Sequence, residues 1–341
     1  MSAKGKILII RFSAMGDVAM TSPVLKEFSK AYPLEELIVV SRGSYQPFFS
    51  DIPNVEFIAF DSKGKHKTFF GLLKFFLQLR RYKIKCVADL HNNLRSRILC
   101  ILFFFSGIKT ASVDKGRPEK KRLTRKREKQ LIPLKSTVSR YAEVFAKLGF
   151  PFNLRNHLTS HAYDKPDNEH WVGVSPFAQH LQKVYPLHKM ERVVLELAGK
   201  GIKLFIFGGS SDEAVIANDW ASKHQNITSM VNKITLAEEL EFIARLDLML
   251  SMDSSGMHLA SLSQVPVVSV WGATHPYVGF LGYGQSINDA VQIDLYCRPC
   301  SVYGNVPCYR GDFACMNNLP EQNIVDKVLD KLYNYETAIV N

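Results

Sequence analysis

Apolar runs and amphipathic stretches alternate along the first half of the chain. Short apolar runs predict strands, and apolar residues repeated at helical spacing predict helices. The predicted strands are Lys6–Phe12, Leu37–Ser41, Val55–Phe60 and Cys86–Asp89, and the predicted helices are Thr21–Ala31, Thr68–Arg81, Arg95–Phe105 and Val138–Leu148. This alternation predicts an α/β fold with a doubly wound parallel sheet.

The second half repeats the alternation after a polar, proline-containing linker over Phe150–Glu169. Its predicted strands are Trp171–Ser175, Lys203–Phe207, Leu246–Ser251 and Val265–Trp271, and its predicted helices are Met190–Lys200, Ala237–Ala244, Gly256–Leu262 and Pro320–Tyr333. We therefore predict two Rossmann-like domains, residues 1–155 and 156–319, with 320–341 as a candidate to pack back on the first. Ligands are expected in a cleft at the carboxyl ends of both sheets.

The composition fits two ordinary globular domains. The chain has 341 residues, 46% of them apolar, and only six cysteines, so it can bury two cores without a disulfide framework. Its first residues do not resemble a secretory signal, and its longest later apolar run, Ile98–Phe105, is too short to span a bilayer. We therefore expect a cytoplasmic protein with reduced thiols.

Positive charge is concentrated in one segment. The net charge is +11, and residues 109–135 contain eleven Lys/Arg against three Asp/Glu. Such a segment attracts nucleic acid, anionic lipid headgroups or a phosphorylated glycolipid, and its simpler interpretation is a solvated charged face. A nucleic-acid-binding protein is the less favoured class, because the segment has no interleaved aromatic residues or recognised binding module.

Two motifs lie at predicted strand-to-helix turns. In the second half, Asp253, Ser254, Ser255 and Gly256 follow a strand and open a helix that carries His258. Small residues there let backbone amides approach a phosphate, and the carboxylate of Asp253 is able to accept hydrogen bonds from sugar hydroxyls. The alternative is that Asp253 and Ser254 only cap the helix.

The corresponding turn of the first half contains Ser13, Gly16 and Asp17. Glycine permits a backbone conformation closed to other residues, which would leave Asp17 at the helix entrance, facing the cleft. A carboxylate at that position stays ionised and can act as a general base. A plain helix cap is again the alternative.

Two further strand ends of the second half carry candidate donor ligands. Ser175 ends a strand with Lys183 beyond it, and this pair of groups suits a diphosphate. Glu213 follows Gly208-Gly209 and suits a ribose diol.

Together these pieces resemble glycosyltransferase family 9, the ADP-heptose:lipopolysaccharide heptosyltransferases. Arg11–Leu25 (RFSAMGDVAMTSPVL) resembles the opening motif of that family. Asp253–Ala260 (DSSGMHLA) resembles its D-S-G-x-x-H-x-A motif, and Val270–Pro276 (VWGATHP) follows in the same order. Ser255 and Gly256 replace the usual Gly-Pro, which leaves room for a sugar other than heptose.

The resemblance implies a GT-B fold, an acceptor held mainly by the first half and an ADP-sugar held by the second. It also implies transfer with inversion and without a metal cofactor. Asp17 matches the base, Lys183 the phosphate-binding lysine, Glu213 the ribose-binding acid, Asp253 the sugar-binding aspartate and Ser175 a phosphate-binding hydroxyl. Epimerase or phosphorylase chemistry on the same fold is the enzymatic alternative.

The basic segment then becomes a candidate mobile loop for an anionic glycolipid acceptor, the lipopolysaccharide inner core. The acceptor-binding candidates are Ser13, Gly16, Lys115, Arg117, Lys120, Lys121 and Arg122. The predicted helix Thr68–Arg81, with basic residues among Phe and Leu, is a candidate for peripheral contact with the inner membrane or an ordinary core helix.

Four cysteines lie close together near the C-terminus. Cys297 and Cys300 have the spacing of zinc ligands, but the intervals to Cys308 and Cys315 are not standard for a zinc site. Reduced structural cysteines are favoured over a zinc site, and no catalytic metal is expected.

Overall fold

The computed structural model describes residues 5–158 and 169–339, with side chains as far as Tyr333. Residues 159–168 of the predicted linker lie outside the described part. The chain forms two compact units, Met1–Lys115 with Lys135–Arg155, and Gly116–Leu134 with Asn156–Asn341.

The helices and strands alternate through most of the chain. In order, they are β1 (Lys6–Ile10), α1 (Met15–Ala19), α2 (Thr21–Ala31), β2 (Leu37–Ser41), β3 (Val55–Ala59), α3 (Phe69–Arg80), β4 (Ile84–Asp89), α4 (Leu94–Phe105), β5 (Lys109–Ser112), α5 (Arg117–Leu123), α6 (Thr137–Leu148), β6 (Trp171–Ser175), α7 (Leu187–Gly199), β7 (Lys203–Ile206), α8 (Ser211–Lys223), β8 (Ile227–Ser229), α9 (Leu236–Ile243), β9 (Leu248–Met252), α10 (Ser255–Leu262), β10 (Val267–Val270), β11 (Ala290–Val291), α11 (Ala314–Asn317) and α12 (Glu321–Ile339).

The first unit is built on a parallel sheet with the strand order β3-β2-β1-β4-β5. Its central strand β1 pairs with β2 on one side and β4 on the other, and its residues Ile7 to Ile10 are completely buried. Right-handed crossovers place α3 and α4 on one face of this sheet and α2 on the other. On that second face α2 packs against α6, with the rings of Phe28 and Phe145 4.8 Å apart.

The second unit is built on a parallel sheet with the strand order β11-β10-β9-β6-β7-β8. A single apolar core covers its strands and includes Ile324, Val325, Val328 and Leu332 of α12. The described part of the C-terminal helix is thus a component of the second unit's core. In each sheet the polar turns discussed below follow the carboxyl ends of the central strands, where open parallel sheets bind ligands.

The two parallel sheets confirm the predicted α/β class. The structure adds elements that the apolar pattern did not indicate, namely α1, β5, α5, α8, β8, β11 and α11. Strand β5 is polar and only partly buried at the sheet edge, so it lacks the apolar signature of the inner strands.

The basic segment is largely structured. It contains α5, and Gly116–Leu134 belongs to the second unit rather than to the first. The buried Lys120 places its Nζ 4.3 Å from the centre of the Phe280 ring. The Nζ of Lys129 donates hydrogen bonds to two backbone carbonyls of the same unit. Cation–π contacts and carbonyl groups thus hold lysines of this segment in the structure, and its role as a mobile acceptor loop stays a prediction.

Candidate functional site

A buried carboxylate lies at the carboxyl edge of the second sheet. Asp253 directly follows β9, and its Oδ2 lies 2.9 Å from the Nζ of Lys183. The Thr274 hydroxyl, beyond β10, donates a hydrogen bond of 2.7 Å to the same oxygen. Only 4% of the Asp253 side chain is exposed. The structure thus brings together two predicted donor residues and adds Thr274, which the sequence analysis did not single out.

The side chain of Lys183 runs alongside Gly304 to reach this position. Its side chain passes so close to Gly304 that a Cβ there would collide with Cγ and Cδ of the lysine. Gly304 also has a left-handed backbone with φ +76°, a conformation that other residues rarely adopt. Two independent requirements therefore favour glycine at this position, and one of them directly serves the placement of Lys183.

The N-terminus of α10 adjoins the carboxylate. Ser254 is the N-cap residue, but its side chain makes no capping hydrogen bond. Its Oγ is buried without a hydrogen-bond partner among the described residues. The capping alternative therefore does not account for either Asp253 or Ser254, since the carboxylate pairs with Lys183 and the hydroxyl is left for another group.

Gly256 lets α10 approach β6 closely. A Cβ at Gly256 would collide with Oγ and Cβ of Ser175. Ser175, predicted as a phosphate-binding hydroxyl, thus lies against the first turn of α10, and both residues are buried. Ser255 is half-buried at the first position of the helix, and His258 is buried one turn later.

Glu213 has a structural role that the sequence already encodes. Its Oε2 accepts hydrogen bonds from the amides of Gly209 at 2.7 Å and Ser210 at 3.0 Å. Ser210 in turn caps the amide of Glu213, which completes a capping box at the start of α8. The carboxylate therefore supports the turn after β7, and ribose binding by Glu213 stays a prediction.

Arg298 shapes the loop after β10, and the sequence analysis missed it. Its buried guanidinium donates hydrogen bonds to the carbonyl oxygens of Gly272, Thr274 and Ile293. Burial lowers the pKa of the guanidinium. By holding the backbone of Thr274, Arg298 orients a residue that contacts Asp253. Buried, multiply bonded arginines have no sequence signature, which explains the omission.

His275 follows Thr274 in the same loop. Its Nδ1 accepts a hydrogen bond of 3.1 Å from the amide of Tyr277. Burial and the nearby Arg298 lower the pKa of His275 to about 4, so the ring is neutral at physiological pH.

In the first unit, Asp17 lies in the first turn of α1 and forms an ion pair with Arg11. The distance from Arg11 Nη2 to Asp17 Oδ2 is 2.5 Å, and 31% of the Asp17 side chain is exposed. The amide of Ala14 donates to the same oxygen at 3.4 Å, so the carboxylate also caps the first turn of α1. Arg11 is buried and bonded to the carbonyl of Leu90 at 2.8 Å, which fixes the orientation of the pair.

Gly16 lies inside α1 and Ser13 is half-buried in the turn before it. The expectation that Gly16 adopts a left-handed conformation is wrong, because it is absent from the positive-φ glycines. Gly16 lies within a helical turn and needs no backbone conformation that is special to glycine.

His91 is a neighbour of this pair that the sequence analysis did not identify. Its Nδ1 accepts a hydrogen bond of 3.2 Å from the amide of Phe12. Burial, and then the charges of Arg11 and Lys115, lower the pKa of His91 to about 3. The buried Asp89 carboxylate accepts a hydrogen bond from the His91 amide at 2.9 Å, and this bond fixes the backbone at the end of β4.

The basic acceptor candidates divide between the two units. Lys115 is the last residue of the first segment of the first unit. The other four basic candidates belong to the second unit. Arg117, Lys121 and Arg122 are exposed, and Lys120 is buried. Exposed guanidinium and ammonium groups are available to an anionic ligand, while Lys120 stabilises the segment on its aromatic support.

The four C-terminal cysteines line one small cavity together with Arg298 and Arg310. Within residues 5–158 and 169–339, no group of three or more His, Cys, Asp or Glu side chains is arranged to hold a metal ion. Burial raises the pKa of Cys315 to about 11. Zinc binding therefore stays an untested hypothesis.

Two parallel α/β units, each with polar turns after its central strands, place the protein in the GT-B fold class. The chain belongs to glycosyltransferase family 9 (heptosyltransferase), whose family model matches residues 72–307. This match confirms the resemblance found in the motifs.

Known relatives support the same assignment. Lipooligosaccharide heptosyltransferase 2 of Campylobacter jejuni is 23% identical over 338 residues, covering 96% of this chain and 99% of the relative. The glycosyltransferase family 9 structure from Veillonella parvula superimposes with a TM-score of 0.76 at 17% identity, covering 98% and 99% of the two chains. E. coli heptosyltransferase WaaC with ADP has a TM-score of 0.69 at 19% identity, covering 96% and 99%. The structural likenesses confirm the GT-B fold.

Proposed function

We propose that this protein transfers heptose from ADP-heptose to a lipopolysaccharide core acceptor, with inversion at the anomeric carbon and without a metal cofactor. Family membership supports heptosyl transfer. The choice of ADP is supported by the relative described with ADP, and the core acceptor by the names of the lipooligosaccharide and lipopolysaccharide heptosyltransferases. A cytoplasmic location, at the inner face of the inner membrane, is part of the proposal.

One observation carries the donor half of this proposal. Asp253 is buried, held by Lys183 and Thr274, and adjoins the unpartnered Ser254 hydroxyl at the N-terminus of α10. A buried hydroxyl without a partner is costly, and a ligand oxygen would satisfy it. The helix N-terminus and the ammonium group of Lys183 favour the diphosphate, and the Asp253 carboxylate favours sugar hydroxyls.

The leaving diphosphate gains negative charge as the glycosidic bond breaks. Lys183 and the backbone amides of the first turn of α10 are the groups that we assign to stabilise this charge. When the donor binds, the ammonium group exchanges part of its interaction with Asp253 for the phosphate oxygens, which releases the carboxylate toward the sugar.

The acceptor hydroxyl must lose a proton as it attacks, because its pKa lies far above neutrality. We assign this proton to Asp17. Both observed contacts of its carboxylate fall on Oδ2. Arg11 thus orients the carboxylate, and we assign Oδ1 as the oxygen that takes the proton from the acceptor. Direct in-line attack opposite the diphosphate then gives inversion.

The test is a transfer assay with ADP-heptose and a heptose-deficient core acceptor, in which released ADP and the glycosylated product are measured. We expect ADP release only when acceptor is present and full activity in EDTA. Asp17→Ala should abolish transfer while ADP-heptose binding persists. Asp51→Asn is the matched control, since Asp51 lies in the same unit in an exposed pair with Lys26.

Several outcomes would contradict the proposal. Full turnover by Asp17→Ala removes this residue from the mechanism. Release of ADP without acceptor, or an altered sugar nucleotide, indicates phosphorylase or epimerase chemistry. Turnover of another ADP-sugar but not of ADP-heptose would change only the proposed donor sugar. The replacement of the usual Gly-Pro by Ser255 and Gly256 makes this outcome worth testing.

A further inference from the structure

The helices α3 and α4 expose an unusual number of large apolar side chains. The α3/α4 apolar surface consists of Phe69, Phe70, Leu77, Ile101, Phe104 and Phe105, each more than half exposed. Phe70 is 75% exposed and Phe105 is 83% exposed. Apolar side chains exposed singly are normal on a protein surface, but a group of six on two neighbouring helices indicates a binding surface.

These residues lie on two helices that are neighbours, most of them toward the start of α3 and the end of α4. Both follow strands of the same parallel sheet, so they run in the same direction on one face of it. Their inner faces pack together, with the rings of Phe76 and Phe103 4.9 Å apart and edge to face. The core-facing residues of both helices are buried, and the exposed apolar residues are therefore on the outer side.

The stretch of chain that carries this surface is strongly basic. Residues 62–113 contain eleven Lys/Arg and a single acidic residue, Asp89, which is completely buried. Lys74, Arg80, Arg81 and Arg97 are exposed on the two helices or directly after them. Exposed apolar residues with lysine and arginine between them are the pattern of interfacial membrane-binding helices.

Charge also decides between the possible occupants. A second copy of this chain would bring one strongly basic surface against another, which like-charge repulsion opposes. An anionic lipid surface instead complements the Lys/Arg side chains and accepts Phe, Leu and Ile at the boundary of headgroups and acyl chains. No helix of the described residues is long and apolar enough to cross a membrane, so this attachment would be peripheral.

We propose that the α3/α4 apolar surface docks the first unit on an anionic lipid bilayer. The aromatic side chains enter the interface, and Lys74, Arg80, Arg81 and Arg97 contact lipid phosphates. The inference does not depend on which sugar or nucleotide the enzyme uses. It supplies a physical reason for an enzyme with a lipid-anchored acceptor to work at the bilayer surface.

The test is co-sedimentation of the full-length protein with phosphatidylcholine vesicles that contain phosphatidylglycerol, compared with vesicles of pure phosphatidylcholine. We expect binding to the anionic vesicles that weakens with added salt. The double variant Phe70→Ser/Phe105→Ser should bind about tenfold more weakly, because it removes two large apolar side chains from the interface. Lys74→Glu/Arg81→Glu should lose the preference for anionic lipid.

Leu34→Ser is the matched control, since Leu34 is 95% exposed in the same unit but outside α3 and α4. All variants should keep the wild-type melting temperature and the same transfer rate on a soluble acceptor.

Equal vesicle binding by Phe70→Ser/Phe105→Ser and the wild type would overturn the proposal, as would the absence of wild-type binding. A wild-type dimer in solution that this double variant dissociates would assign the surface to a second copy instead. Because vesicle binding needs no turnover, its failure is distinguishable from failure of the transferase proposal.

Discussion

Lys183 and Asp253, far apart in sequence, form a largely buried ion pair of 2.9 Å in the second unit. The lysine leaves from the loop after β6 and the carboxylate from the end of β9, so their pairing ties two adjacent strands of the sheet together at its carboxyl edge. The pair combines a structural and a proposed donor-binding role, and these roles separate experimentally.

Lys183→Met should lower both stability and transfer. Removal of the ammonium group leaves the buried carboxylate with Thr274 alone, so we expect the free energy of unfolding to fall by about 3 kcal/mol. We expect kcat/KM for the ADP-sugar to fall at least tenfold. Urea denaturation and initial rates measure the two effects. Lys26→Met, in a pair whose side chains are 27% and 63% exposed, should cost about 1 kcal/mol or less. Equal stability losses in the two variants would contradict the importance of burial.

Arg11→Lys should slow the transfer step without weakening donor binding. Lysine keeps the charge but cannot bond to Asp17 and the Leu90 carbonyl with two fixed nitrogens, as Arg11 does. Misorientation of the carboxylate should reduce kcat roughly 100-fold, while the KM for the ADP-sugar stays unchanged. Steady-state kinetics with each substrate varied in turn would show this split. A larger KM for the donor with an unchanged kcat would refute the positioning role.

Gly256→Ala should destabilise the second unit, and a second substitution should restore it. The added Cβ collides with Ser175, and overpacking of this kind costs about 1–3 kcal/mol. Ser175→Gly removes the two atoms that the new Cβ would meet most closely, and leaves only the Ser251 Oγ at 3.2 Å. The double variant Gly256→Ala/Ser175→Gly should therefore regain most of the lost melting temperature. Because Ser175 is also a proposed phosphate ligand, donor affinity should stay low. Strictly additive losses would show that the contact is not the cause.

Acidification should destabilise the fold through the half-buried His91 and the buried His275. The pKa of His91 is lowered to about 3 and that of His275 to about 4, whereas an unfolded histidine has a pKa of about 6.5. Below that pH the unfolded chain takes up protons that the folded chain does not. The free energy of unfolding should therefore fall as the pH drops from about 6.5 to about 4. Denaturation at several pH values should show a smaller slope for His91→Gln and His275→Gln. An unchanged slope in both would contradict neutral imidazoles in the folded protein.

Much of the architecture was predictable because the inner strands are short apolar runs bounded by turns. The pattern correctly located β1, β2, β6 and β9, and the helices α2, α7 and α9 followed from their 3.6-residue spacing. It failed at β5, whose sequence KTAS resembles a loop. The Ser210-x-x-Glu213 capping box follows a known sequence pattern, which predicts a structural role for Glu213 beside the proposed contact with ribose.

The candidate site was only partly predictable, because local sequence patterns do not encode contacts between distant residues. The sequence identified Asp253 and Lys183 separately, but their pairing and the hydroxyl of Thr274 depend on strand order, which local patterns do not encode. Arg298 and His91 were missed because each acts through backbone groups distant in sequence. The basic segment was found by its charge alone, and its aromatic support lies more than a hundred residues further along the chain.

That last contact has a consequence for the order in which the protein assembles. Gly116–Leu134 leaves the ribosome well before Phe280 and Tyr303, the rings that receive Lys120. The second unit is therefore discontinuous along the polypeptide, and its completion must wait until nearly the whole chain has been synthesised. A fragment that begins at Asn156 would lack α5 and leave those rings uncovered, so dissecting the enzyme at the midpoint of its sequence would not yield two independent folding units.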